Sequence, residues 1–455
     1  MIRVKRSKPV TVGTRTSEKC VTMRFTGDRD ATGLVMKPLE VENCDCSEGF
    51  LQTLPEWEYM LNDDGERYNC NIANTLEMGS FKVDEGGKSF KNGYYIITAA
   101  GSFIYYLENE GYYYAVATNR VKVAPFFVKT YAGPRIALCT RKGFLLADTK
   151  GKYETIIEDE TLSAGALYRH RIFLGMVGGV VKYSAPEEFT NFNESVDAGG
   201  EIVFPHCGGE IIAMKTYEDA LYIFFRSGIM RLKAGGDPSG FYSEELDYTG
   251  GDIFPRTICV CQHSIYFLAR SGLYRLKGKK TERLDIKADF PTEETGLEGN
   301  AVWKDRPMIR YQKADGAFET IIVGKDGKSA FFMSGLDSLG RGEDGRVLFI
   351  DKLKYLCQLT DKGTYFFDGR FCAAETDFGC PGKKRLERLR FSGEGNFSLS
   401  ILYNGMSMGK SLEFENGVAE WKFNRAEAGE KYQMTFELGR GCKITSMQAE
   451  FKVFS

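Results

Sequence analysis

Along the middle of the chain, short apolar runs come in pairs joined by a tight turn. The clearest copies are Leu221-Tyr-Ile-Phe-Phe-Arg-Ser-Gly228-Ile-Met-Arg-Leu232 and Ile265-Tyr-Phe-Leu-Ala-Arg-Ser-Gly272-Leu-Tyr-Arg-Leu276, about 44 residues apart. Fainter copies read Ala137-Leu-Cys-Thr-Arg-Lys-Gly143-Phe-Leu-Leu146, Ile172-Phe-Leu-Gly-Met-Val-Gly-Gly179-Val-Val181 and Leu356-Cys-Gln-Leu-Thr-Asp-Lys-Gly363-Thr-Tyr-Phe367. Each predicts a β-hairpin with glycine at the turn, where a positive φ is cheap for a residue without Cβ. With irregular units around Gly101 and Gly327, the ladder runs from Tyr94 to about Asp368.

Within a hairpin both strand faces are apolar: Leu221, Ile223 and Phe225 point one way, Tyr222 and Phe224 the other. A strand that is apolar on both faces belongs between two other layers, and a two-stranded unit cannot bury itself. Blade-like spacing then predicts an all-β chain folded as a six- or seven-bladed β-propeller. A β-solenoid fits less well, because its coils are typically shorter than these units.

After Cys380-Pro-Gly-Lys-Lys-Arg385 the period changes to clean alternation. Phe397, Leu399, Ile401 and Tyr403 share a face, as do Tyr432, Met434, Phe436 and Leu438, and then Met447, Ala449, Phe451 and Val453. Turns at Asn404-Gly405, Glu415-Asn-Gly417, Ala428-Gly429 and Gly439-Arg-Gly441 divide these runs into a C-terminal antiparallel β-sandwich. The expected division is an N-terminal extension over 1–85, supplying an arm and the first strands that close the propeller, the propeller over 86–380, and the sandwich over 381–455.

Composition supports strands over helices: 455 residues hold 51 Gly, 24 Tyr and 33 Phe. Sixty basic and 62 acidic side chains leave a formal charge of -2, so no global field favours nucleic acid or an acidic membrane. The start Met-Ile-Arg-Val-Lys-Arg lacks a signal peptide's apolar run, and no run reaches the roughly 18 apolar residues of a membrane span. The twelve cysteines, scattered along the chain, are expected to be reduced thiols. The basic start (Arg3, Lys5, Arg6, Lys8) reads as a solvated arm or one that docks on a neighbouring subunit.

Catalytic patterns are missing. The three histidines, His170, His206 and His263, have no metal-ligand spacing. Cys44-Asp-Cys46 and Cys259-Val-Cys261 have one-residue gaps and no second matching pair. No Gly-x-Ser-x-Gly elbow or phosphate-binding loop occurs, and Gly324-Lys-Asp-Gly327-Lys328-Ser329 is too short for the latter. Asp219, Asp247, Asp252 and Asp361 read as turn and rim residues. Tyr105, Tyr106, Tyr112, Tyr113 and Tyr114 suit packing between blades, or stacking on sugars or bases. No enzyme, cofactor or metal is expected.

One passage is more distinctive: His170-Arg171-Ile-Phe-Leu-Gly-Met-Val-Gly-Gly-Val-Val-Lys-Tyr183-Ser184-Ala-Pro186-Glu-Glu-Phe189-Thr-Asn-Phe192. An Arg, an apolar strand and an aromatic-Ser-x-Pro segment ending in Phe resemble a phrase of β-propeller tail and neck proteins of bacteriophages, the nozzle and packaged-DNA-stabilising type. Asn43-Cys-Asp-Cys-Ser-Glu-Gly49-Phe-Leu51-Gln-Thr-Leu-Pro55 is similar to that family's opening segment, and Arg388-Leu-Arg-Phe391 precedes a terminal β-domain of the kind it often carries. The departure is Tyr183, where tryptophan is common in the family.

The resemblance implies a mechanical role. The chain would form a cyclic oligomer with itself, meet portal, adaptor and other tail proteins, and extend or close the channel through which genomic DNA passes. It would be assembled in the host bacterial cytoplasm and reside in the virion's tail or neck. Arg171, Tyr183, Ser184, Pro186 and Phe192 would shape one blade and its connecting loop. The alternatives are a carbohydrate-binding or glycoside-cleaving propeller and a cellular interaction scaffold.

Overall fold

The structure, a computed structural model, describes residues 16–454 except 26–33, 47–48, 55, 63, 71–74, 85–89, 99–101, 108–112, 117–120, 122–124, 132, 195–198, 205–208, 287, 326, 328, 343–344 and 425–426. The basic arm, Gly101, Tyr112 and His206 therefore lie outside the described residues. Among them there is no α-helix, only two 3-10 turns, Pro238–Gly240 and Pro255–Thr257. The chain divides into two units, Pro55–Tyr365 and the pair Met1–Leu54 with Phe366–Ser455.

Pro55–Tyr365 is a β-propeller of seven blades. Five are separate four-stranded antiparallel sheets in chain order. Blade two runs from Phe126–Thr130 to Tyr153–Glu158, blade three from Leu162–Tyr168 to Gly200–Val203, and blade four from Ile211–Tyr217 to Tyr242–Glu245. Blade five runs from Cys259–Cys261 to Lys280–Arg283 and blade six from Gly299–Trp303 to Ala330–Met333. Blade one (Thr75–Asp84, Phe90–Thr98, Phe103–Leu107, Tyr113–Val116) and blade seven are joined through their first strands, which pair in parallel at Gly79 and Arg341.

Blade seven shows how the ring closes. Gly340–Arg341, Val347–Ile350 and Leu356–Thr360 supply three strands, and Glu56–Tyr59, from the other end of the unit, supplies the fourth. Trp57 N–H donates to Tyr365 O at 2.9 Å, Tyr365 N–H returns the bond at 3.0 Å, and the two rings stack at 4.5 Å. Pairing the two ends of the unit covers a strand edge that would otherwise stay open.

The repeated phrase forms the second and third strands of a blade, with Leu221 opposite Leu232 and Ile265 opposite Leu276. Its double-sided burial is literal. Leu221, Ile223 and Phe225 pack with Phe173 and Val181 of blade three, while Tyr222 and Phe224 pack with Ile265 and Phe267 of blade five.

The turn glycines divide. Gly143, Gly179 and Gly272 have positive φ, and a Cβ on Gly143 would stand 1.9 Å from Ile157 O. Gly228 and Gly363 do not have positive φ. The hairpin expected around Gly363 is not made, because Glu56–Tyr59 takes the place of its second strand. Gly363 is small for another reason: a Cβ there would stand 2.5 Å from Trp57 O. Gly327 turns between the third and fourth strands of blade six, not the second and third.

The second unit is a two-sheet sandwich. One sheet orders Val35–Met36, Thr16–Phe25, Lys443–Phe454, Lys384–Glu394 and Val418–Lys422, with Cys44–Asp45 and Leu51–Thr53 attached. The other orders Pro38–Glu42, Gly369–Ala373, Gln433–Leu438, Asn396–Tyr403 and Met406–Glu413. Phe397, Leu399, Ile401, Tyr403, Tyr432, Met434, Phe436 and Leu438 share one core with Met447, Ala449 and Phe451. The boundaries thus fall at 54/55 and 365/366 rather than at 85 and 380. The reason is pairing: Thr16–Phe25 lies antiparallel to Lys443–Phe454, which makes the head of the chain part of the sandwich.

Candidate functional site

The Arg171–Phe192 passage is built as a clamp. Arg171 opens the second strand of blade three, Arg171–Met176, and is only 3% exposed. Its Nη1 donates to Ser184 O at 2.8 Å and its Nη2 to Gly236 O of blade four at 3.4 Å. The guanidinium lies 5.6 Å from the Tyr183 ring centre and 5.8 Å from that of Phe241. Burial lowers the Arg171 pKa, opposed by the charges of Tyr183 and Asp237, and a guanidinium remains charged through such a shift.

Ser184 Oγ accepts from Ile172 N–H at 3.0 Å and donates to Ala185 O at 2.9 Å. Tyr183 packs edge-on against Phe241 at 5.1 Å. Phe192 meets Phe144 of blade two at 6.1 Å. Pro186 sits exposed in the loop between the third and fourth strands. The passage therefore ties blade three to both neighbours, through Phe192 on one side and Arg171 with Tyr183 on the other.

A second buried arginine follows the same logic. Arg310, in the second strand of blade six, donates from Nε to Leu336 O at 3.0 Å and from Nη1 to Leu297 O, with its guanidinium 3.7 Å over Phe318. Burial pushes its pKa down to about 10. An Arg inside the apolar run Met308-Ile309-Arg310-Tyr311 was the signal that pattern reading passed over.

The turns between first and second strands gather on one face. Arg169 (φ 49°) and His170 (61°) in blade three, Glu218 (49°) in blade four, Gln262 (49°) in blade five, and Lys304 (46°) with Asp305 (63°) in blade six all hold left-handed backbone without glycine. Each such residue costs about 1 kcal/mol. An ion pair joins Arg169 to Asp219 of blade four, and Lys304 Nζ lies 2.5 Å from Asp361 Oδ1. A hollow of about 830 Å³ opens here, lined by Lys129, Tyr131, Arg169, His170, Glu187 and Phe189. Tyr131 at its rim is 97% exposed.

Other candidates resolve into packing and ion pairs. Tyr105 and Tyr106 are buried in two cores. Among the described residues no three His, Cys, Asp or Glu converge as metal ligands. His170 and His263 lie on exposed turns. Burial pushes the Cys259 thiol up to about 12 and Cys261 to about 11, and holds Cys44 well above its ordinary value. Such thiols stay protonated, poor as nucleophiles and as metal ligands. Eleven described cysteines are free, all buried except Cys20.

No family model matches the chain. No curated protein matches it either. Among solved structures it is similar to the computationally designed Ika8 protein (TM-score 0.40, 10% identity, covering 64% of this chain and 98% of that one). It is also similar to the WD40 domain of Neurospora crassa Pan2 (TM-score 0.43, 10% identity, 65% and 91%). The extracellular domain of hybrid two-component system BT3049 from B. thetaiotaomicron gives 0.43 and 10% identity over 85% and 59%. Similarity at this level carries no argument about function, and the blade assignment rests on the strand pairing itself.

Proposed function

We propose that this protein is a structural subunit of a bacteriophage tail or neck, of the nozzle and packaged-DNA-stabilising type, with no catalytic step of its own. The observation that carries the reading is the Arg171–Phe192 passage, whose resemblance lies in residues that here lock three consecutive blades. In this reading Arg171, Tyr183, Ser184 and Phe192 keep the propeller stiff, and its surface turns meet the partners. Subunits would form a closed ring through heterologous interfaces, located in the virion and joined to portal and adaptor proteins.

Negative-stain imaging and light scattering of the purified full chain, alone and mixed with the portal and adaptor proteins of the same genome, test this. Rings, or co-assembly with those proteins, are expected. A monomer in every mixture overturns the proposal.

A second reading is favoured by one observation, the exposed Tyr131 beside the 830 Å³ hollow. An aromatic face with Arg169, His170 and Glu187 around it suits a sugar ring. Glycoside cleavage takes two carboxylates, and among the described residues Glu187 is the one carboxylate that lines the hollow, so the reading favoured is carbohydrate binding. A glycan array in which Tyr131→Ala abolishes every signal supports it, and an array with no binding removes it.

A further inference from the structure

One strand of the sandwich keeps an open side. Met406–Glu413 ends its sheet, pairing with Asn396–Tyr403 on one side and, among the described residues, with no strand on the other. Six of its eight residues are exposed. A row of unpaired N–H and C=O groups is a template for another strand, and native sheets protect such edges with charge, proline or brevity. Three other edges of this sandwich are protected in those ways. Pro38–Glu42 carries a proline and two glutamates, Val35–Met36 is two residues long, and Val418–Lys422 carries Glu420 paired with Lys422 at 3.4 Å. Met406-Ser-Met-Gly-Lys-Ser-Leu-Glu413 has no proline, pairs without a register shift, and holds one charge, Lys410, ahead of its last residue.

The hairpin fixes which groups face outward. Asn404 (φ 49°) and Gly405 (74°) make a two-residue turn with both positions left-handed, so Tyr403 and Met406 form a hydrogen-bonded pair. Even-numbered residues from Met406 to Leu412 then bond to the neighbouring strand, and Phe414 continues the set with its N–H on Gly395 O at 3.1 Å. Ser407, Gly409, Ser411 and Glu413 direct their N–H and C=O away from the sheet. Their side chains lie on its outer face, where Ser411 Oγ stands 3.0 Å from Ser398 Oγ.

This parity restricts how a second copy could pair. Outward groups must meet outward groups, so the two-fold axis of an antiparallel pair falls on a residue and not between two. Centred on Lys410, the pair would set two lysines directly opposite at about 4.5 Å, which is destabilising. Centred on Gly409, the whole of Met406–Leu412 pairs: Ser407 meets Ser411 of a second copy, Met406 meets Leu412, and Met408 meets Lys410, with no like charges opposed. Axes on Met408 or Ser411 pair fewer residues.

We propose that Met406–Glu413 is a docking edge for a second copy of this chain, added antiparallel through the same strand with the two-fold axis at Gly409. Two five-stranded sheets would become one continuous sheet. The contact is isologous, and so distinct from the heterologous interfaces that close a ring. It stands whether or not the chain builds a phage tail.

Light scattering of the full chain at about 100 μM, a concentration suited to a small interface, tests it. A paired species is expected. Gly409→Lys and Gly409→Glu each set like charges across the axis and should halve the mean mass, and an equimolar mixture of the two should restore it. A Cβ at Gly409 meets nothing nearer than Ser400 Oγ at 3.4 Å, so both variants should keep the fold, read by Trp421 fluorescence. Lys422→Glu, on a protected edge, leaves the mass unchanged. In the wild type, amide exchange at Ser407, Gly409 and Ser411 should slow as the chain is raised from about 1 to about 100 μM. A monomer at about 100 μM overturns the proposal, as does an unrestored mixture or exchange at those three amides that ignores concentration. If the chain forms rings, a ring mass that neither Gly409 substitution alters overturns the edge contact and leaves the tail reading standing, whereas paired rings that halve in mass support both.

Discussion

The propeller and the sandwich bury strands in opposite ways. In the blade strand Ala220–Phe225 every side chain is buried, because each face meets a neighbouring blade. In the sandwich strand Asn396–Tyr403 burial alternates, and Leu402 is 44% exposed between the buried Ile401 and Tyr403. Two-sided packing makes adjacent residues equally intolerant of change, whereas one-sided packing leaves every second position free.

The sharpest way to break that comparison is to cut the chain where the two units part. Removing residues 1–54 takes Met23 and Phe25 from the sandwich core and is expected to unfold that unit alone. Removing residues 1–60 also takes the closing strand of blade seven and should destabilise the propeller by about 3–5 kcal/mol, the scale of losing a large core side chain. Trp303 reports on the propeller and Trp421 on the sandwich, so denaturant curves followed in single-tryptophan variants separate the two. If the 1–54 deletion also abolished the Trp303 transition, the division into independent units would fail.

Point substitutions sharpen the difference one residue at a time. Ile223→Ala and Phe224→Ala, on opposite faces of one blade strand, should each cost about 2–5 kcal/mol. In the sandwich Leu399→Ala should cost a similar amount, while Ser400→Ala stays within about 0.5 kcal/mol. The same urea curves measure this, and a mild Phe224→Ala would contradict two-sided burial.

These contrasts explain what was legible in the sequence. Second and third blade strands announce themselves because both their faces are apolar, and sandwich strands do so by alternation. Fourth strands such as Tyr242–Glu245 and Lys280–Arg283 are polar, so blade edges fade from the pattern. The closing strand Glu56-Trp-Glu-Tyr59 is half-buried throughout and shows no period, and its pairing with Leu356–Thr360 is a matter of topology. Arg171 was legible through resemblance, as one continuous passage. Arg310 was not, because its partners Leu336 O and Leu297 O lie outside its own strand and meet it only once blade six has folded.

Turn glycines test the comparison at lower energy. Gly143 in blade two combines φ 138° with a Cβ position 1.9 Å from Ile157 O, so Gly143→Ala should cost about 2–3 kcal/mol. Gly405 in the sandwich has φ 74° and open space around its Cβ position, so Gly405→Ala should cost only about 1 kcal/mol. Equal costs would mean that backbone strain alone governs both turns and that crowding between blade strands adds nothing.

The smallest effect asks whether the two interiors differ in polarity as well as geometry. Burial raises Cys259 of the propeller and Cys442 of the sandwich alike, each to about 12 from an ordinary 9.0. A thiol raised in the folded state contributes its stability fully below the unfolded value. Above pH 9 the unfolded chain ionises first, so stability falls until about pH 12, by about 1 kcal/mol per thiol within the first pH unit. Cys259→Ala should therefore flatten the alkaline fall of the Trp303 transition, and Cys442→Ala that of the Trp421 transition, by equal amounts. Unequal flattening would show that one core admits water to its thiol. Equal flattening would confine the difference between the regions to which strand faces are covered, leaving both interiors equally dry.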